Sequence, residues 1–195
     1  MFIQGGRRGM LGFGKTFRQA LYNSSTSTFL EDIACLIRAL HTSKEALKLE
    51  KIFLMGASFD GTTALSIATQ APYKDLPIDG FITLGGVFNI GKFFQQHSSW
   101  DNPLKHVLNP IENLSNLSKP FLVLHGDFDE QAPLDEVFEL REKKETLGAS
   151  LLQIHVLKGA NHQLDNTSEA LLASTEGIVN FCRTGKYFLS KESLI

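Results

Sequence analysis

With 195 residues, 43% of them hydrophobic and 21% charged, the chain is long enough for one domain with a full core and has the composition of a globular protein. A formal charge of −2 excludes the basic surface that nucleic acid or an anionic membrane would require. No apolar stretch approaches membrane-spanning length, and residues 1–4 run into glycines too soon for the core of a signal peptide.

Residues 1–4 read as the end of a strand. Residues 5–14 hold five glycines and predict a loop with unusual backbone angles. Residues 24–28 offer N-caps, and Phe29, Ile33, Leu36, Ile37 and Leu40 then recur at helical spacing. Residues 51–55 read as a buried strand. Residues 61–71 form a small-residue helix suited to close packing on a sheet, ended by Pro72. Residues 78–84 are a second strand, closed by Gly85-Gly86. Residues 87–119 have weaker periodicity, two prolines (Pro103 and Pro110) and the only tryptophan, and predict a small cap over one end of the sheet. Residues 121–124 are a third buried strand, 134–147 an amphipathic helix stopped at Gly148, 151–157 a fourth strand, and 168–182 a closing helix. Residues 183–195 form a polar, loosely held tail.

Strands alternating with helices predict an α/β fold, a mostly parallel sheet with helices on both faces. Cys35 and Cys182 fall in apolar helical patterns without Cys or His at metal-ligand spacing. They predict buried free thiols and a reducing, cytoplasmic compartment.

Ligands bind such sheets beyond the carboxyl ends of the strands, and three groups fall there. Ser58 lies in Gly56-Ala57-Ser58-Phe59-Asp60-Gly61, one residue off G-x-S-x-G, at a strand-to-helix seam where a nucleophile elbow belongs. Asp127 and Asp129 follow the third strand, and His162 follows the fourth. A serine hydroxyl needs an imidazole to take its proton and a carboxylate to fix that imidazole's tautomer. The order Ser, Asp, His is that of the α/β-hydrolases. Either Asp127 or Asp129 could orient the histidine on this reading. The Phe59 N–H, following the nucleophile at a helix start, is one oxyanion donor. His125 reads as a strand-end or supporting residue, and His41, His97, His106 and His155 as surface or packing residues.

Arg8-Gly9-Met10-Leu11-Gly12-Phe13-Gly14-Lys15-Thr16-Phe17 resembles the R-G-x-x-G-[YF]-G-x-x-[FW] segment of prolyl oligopeptidase-type serine peptidases. Asp32 and its apolar neighbours match the helix that follows there. Gly56, Ser58 and Gly61 match the elbow G-x-S-x-G-G, and His125, Gly126, Asp129 and Pro133 match the acid loop H-G-x-x-D-x-x-V-P. The resemblance implies an α/β-hydrolase fold over residues 1–182. It implies a serine hydrolase with catalytic Ser58, Asp129 and His162, an amide or ester substrate (a peptide or small acyl compound), and no metal or organic cofactor. Phe93, Phe94 and Trp100 are candidate walls of the substrate pocket. A carboxylesterase or thioesterase on the same residues is the second reading, and a non-catalytic remnant the third.

The chain departs from that family twice. Asp60 stands where the family has glycine, placing a carboxylate two residues from the nucleophile. The fold also reads as incomplete at the N-terminus, because about three strands and a second oxyanion donor precede the Arg-Gly segment in the family. An exposed sheet edge, open to self-association or to a partner, is the expected consequence.

Overall fold

The computed structural model describes residues 3, 5–10, 12–20, 28–92 and 109–189. The strand read into residues 1–4 and the N-caps read into residues 24–27 lie outside the described residues.

Among the described residues four strands, β1 (Phe53–Ala57), β2 (Gly80–Leu84), β3 (Phe121–Gly126) and β4 (Leu152–Leu157), form one parallel sheet in the order β1-β2-β3-β4. Among the described residues five α-helices accompany them: α1 (Gly14–Gln19), α2 (Thr28–Thr42), α3 (Phe59–Thr69), α4 (Asp135–Leu147) and α5 (Ser168–Thr184). With its parallel sheet and covering helices the chain has the α/β-hydrolase fold.

Side chains alternate across each strand, so neighbours on one strand enter different cores. Phe81, Phe121, Val123 and Leu152 pack with Leu30, Ala34 and Ile37 of α2, Leu65 and Ile67 of α3, and Leu140 of α4. Ile82, Leu122 and Leu124 point the other way and meet Ala170 and Phe181 of α5. Burying such a side chain contributes about 1.5–3 kcal/mol, and both faces of the sheet are supplied in this way. Helix α3 is buried from Gly61 to Thr69, because it lies between the sheet and other helices. Its small residues permit that approach: a Cβ on Gly61 would stand 2.8 Å from the Gly86 Cα.

Three expectations need correction. Cys35 is exposed, since the buried stripe of α2 runs through Leu30, Ala34 and Ile37 and position 35 falls off it; Cys182 is half-buried. Residues 110–116, expected in a cap, instead form a 3-10 helix (Pro110–Asn116) whose Ile111 and Leu114 are fully buried in the main core. The rest of the expected cap, residues 93–108, lies outside the described residues. The start of the tail is docked, not loose. The Tyr187 N–H donates to the Gln153 amide oxygen at 2.9 Å, its ring lies tilted against His155 with centroids 4.0 Å apart, and the Phe188 carbonyl accepts from the Asn180 amide at 2.9 Å.

Candidate active site

Ser58 follows β1 and stands at the N-cap of α3 with φ 53° and ψ −125°. This is a backbone conformation that a non-glycine residue adopts only under constraint. The constraint comes from both sides: the Ser58 N–H donates to the Leu84 carbonyl at 3.0 Å, and its own carbonyl accepts from Gly61 at 2.9 Å and Val87 at 3.2 Å. Gly56 makes the turn possible, because a Cβ there would stand 2.1 Å from the Asp60 carbonyl oxygen. The Phe59 N–H is at the first position of α3, where helical N–H groups have no partner within the helix.

Asp129 is buried on the loop after β3. Its Oδ1 accepts from the N–H groups of Gln131 at 2.9 Å and Ala132 at 2.8 Å, and its Oδ2 lies 2.7 Å from His162 Nδ1. An ionised carboxylate only accepts, so Nδ1 carries the proton and Nε2 keeps its lone pair. Asp127 acts elsewhere. Its Oδ1 accepts from the Gly159 N–H at 2.5 Å and ties the β3 loop to the β4 loop. The structure thus brings Asp129, and not Asp127, to the histidine.

Gly85, at the end of β2, joins the serine to this pair. It follows Leu84, which holds the Ser58 N–H. A Cβ on Gly85 would stand 2.9 Å from His162 Nδ1 and 3.1 Å from Asp129 Oδ2. In the sequence Gly85 reads only as a strand terminator, although the Gly85-Gly86 pair is an available signal of a close approach. Among the described residues no hydrogen bond joins the Ser58 hydroxyl to His162. Phe93, Phe94 and Trp100 lie outside the described residues.

Two further groups support the edge. His125 is fully buried, with Nε2 2.7 Å from the Ala132 carbonyl and 3.4 Å from Asp129 Oδ2, while its Nδ1 has no hydrogen-bond partner among the described residues. Burial pushes its pKa down, against the pull of the Ala132 carbonyl and the Asp129 carboxylate, so the ring is neutral and donates from Nε2. Glu136, on α4, accepts from the Phe88 and Asn89 N–H groups at 2.8 and 2.9 Å. Burial raises its pKa, against those two donors. It fixes the loop that carries Val87, whose carbonyl also accepts from the Thr62 hydroxyl.

Arg8 anchors the glycine-rich segment to α2. Its Nε donates to Asp32 Oδ1 and Oδ2 at 2.9 Å, and its N–H donates to Oδ2 at 2.9 Å. Burial alone would raise the Asp32 carboxyl, but the Arg8 hydrogen bonds and charge outweigh it and hold the carboxyl below its ordinary value. Among the described residues no group of three or more His, Cys, Asp or Glu side chains could hold a metal ion, and no helix is long and apolar enough to cross a membrane.

Residues 1–184 match the model of the prolyl oligopeptidase family. The chain belongs to that family. It is 22% identical to an uncharacterized peptidase, YuxL, of Bacillus subtilis (strain 168), over 82% of this chain and 26% of that protein. The acylaminoacyl peptidase of Pyrococcus horikoshii superposes with a TM-score of 0.79 at 17% identity, over 97% of this chain and 33% of the other. The carboxylesterase Cest-2923 of Lactobacillus plantarum WCFS1 superposes with a TM-score of 0.68 at 16% identity, over 86% of this chain and 71% of that one. The chain therefore spans about a quarter to a third of the two peptidases and most of the esterase.

Proposed function

We propose that this prolyl oligopeptidase family member is a serine hydrolase that cleaves an amide or ester bond through an acyl-enzyme. The observation that carries the reading is the pairing of buried Asp129 with His162, standing across Gly85 from a serine held at positive φ. Ser58 Oγ attacks the carbonyl carbon as His162 Nε2 takes its proton. The carbonyl oxygen becomes an oxyanion facing the Phe59 N–H. The proton then passes from Nε2 to the leaving amine or alkoxide, the carbonyl–leaving-group bond breaks, and the acyl group stays on Ser58. Water, deprotonated by the same nitrogen, releases the acid. Asp129 holds the donor tautomer at Nδ1 and stabilises the imidazolium. Correct positioning and a single oxyanion donor are each worth orders of magnitude in rate.

The peptidase reading follows the family and the two peptidases it matches. Carboxylester cleavage is the second reading, because the chain also superposes on a carboxylesterase with a TM-score of 0.68. Parallel assays of acyl p-nitrophenyl esters and peptide p-nitroanilides distinguish them. Turnover of both, lost in Ser58→Ala, is the expected result. Brisk ester turnover with amide turnover at background rejects the peptidase reading, and turnover of either that survives Ser58→Ala rejects the serine mechanism.

A further inference from the structure

Asp60 puts a carboxylate on the first turn of α3, next to the residue whose N–H would face the oxyanion. A negative charge at a helix N-terminus is stabilising for the helix but opposes a second negative charge at the same end. The chain answers this from 53 residues away. Arg7 Nη2 and Nε donate to Asp60 Oδ1 at 2.7 and 3.1 Å, and the guanidinium carbon lies 5.6 Å from the centre of the Phe59 ring. The Arg7 side chain is only 14% exposed, against 49% for Asp60. Its backbone is fixed by a tight turn, in which the Met10 N–H donates to the Arg7 carbonyl at 3.2 Å. The next residue, Arg8, is anchored on Asp32. The two arginines thus fasten one glycine-rich segment to α2 and to the elbow at once.

We infer that Arg7 is a positioning residue of this site: it neutralises Asp60 and braces the Phe59–Asp60 turn, keeping the positive end of α3 available to a developing oxyanion. The inference rests on Ser58 being the nucleophile. An arginine suits this role better than a lysine, because its planar fork grips the carboxylate while its face covers the Phe59 ring. Asp60, beside the elbow, is accommodated here by a partner charge that comes from the segment ahead of it.

The test is the second-order rate at which a fluorophosphonate inactivates the 195-residue chain, with thermal midpoints measured alongside. Arg7→Met should slow inactivation about tenfold, the effect of one uncompensated charge at the same helix end in a partly screened site. Arg7→Lys should recover much of the loss, and Arg7→Met/Asp60→Asn should return close to the wild-type rate. The midpoint should change little in Arg7→Met, because the half-exposed carboxylate left behind can be solvated. Arg7→Met reacting as fast as wild type overturns the inference, as does a double variant as slow as Arg7→Met with a matching fall in midpoint, which marks a purely structural staple. A folded wild type that never reacts removes the nucleophile reading and this inference with it, a result seen before any Arg7 variant is compared.

Discussion

Asp127 and Asp129 stand two residues apart on one loop, and their hydrogen bonds assign them opposite duties. Asp129 Oδ2 faces His162 Nδ1, so Asp129→Asn would present an amide N–H to that nitrogen and enforce the wrong tautomer. The expected result is a fall of about 10³–10⁴ in kcat with the fold retained, read by ester turnover and circular dichroism. Asp127→Ala should instead cost about 1–3 kcal/mol of stability by freeing the Gly159 N–H, with a smaller loss of rate. Denaturant unfolding of the two variants separates these outcomes, and equal losses of rate would contradict the assignment. Gly85→Ala has two problems, φ +53° and a Cβ overlapping His162 and Asp129. Displacing the imidazole by such an overlap should cost about 10² in kcat. Ser58 and His162 are legible in the sequence because each follows a strand in the α/β-hydrolase order. The choice between Asp127 and Asp129 rests there on motif resemblance, because two acids on one loop have equal reach until the loop's N–H groups are placed. Arg7 is not legible at all, since no local pattern links residues 53 positions apart.

The elements themselves are largely legible. The four strands and the helices α2 to α5 lie within about two residues of where periodicity, glycines and caps put them, and Gly148 ends α4 at φ +65° as expected of a left-handed cap. The misreadings share a cause. Whether residues 110–116 cover the core or enter it, whether Cys35 faces in or out, and whether Tyr187 docks are decided by tertiary partners that a window of neighbours does not contain. One element carries a pH prediction. His125, at the end of β3, has a pKa pushed below its ordinary 6.5, first by burial. A histidine held neutral in the fold binds fewer protons than in the unfolded chain. Its stabilising contribution is therefore full above about pH 6.5 and declines as the pH falls from there towards the lowered folded value. His155, also lowered by burial and by Arg141 and Lys144, adds in the same direction. The melting temperature should be flat from about pH 7 to 8 and fall below about pH 6.5, and His125→Gln, which removes one titrating group, should have a shallower slope. A slope unchanged in that variant would contradict the neutral, buried assignment.

Over the whole molecule, the sheet places Ser58, Gly85, Asp129 and His162 on one edge because four parallel strands all end there. Among the described residues the same topology leaves the outer side of β1 open. Among the described residues β1 is paired only with β2, and Met55 on it is exposed. A strand with one open edge and an exposed apolar side chain invites another strand. The 195-residue chain is expected to associate along that edge, giving a concentration-dependent mass in sedimentation velocity, and a high-melting strict monomer would contradict this. Everything proposed for the chemistry depends on a narrower point, that the strained serine of this edge is a nucleophile. The most direct measurement is intact and peptide mass analysis after exposure to a fluorophosphonate. A single adduct is expected on the peptide carrying Ser58, absent in Ser58→Ala and strongly slowed in His162→Ala. An adduct on another residue, or a folded wild type that stays unmodified, would contradict it.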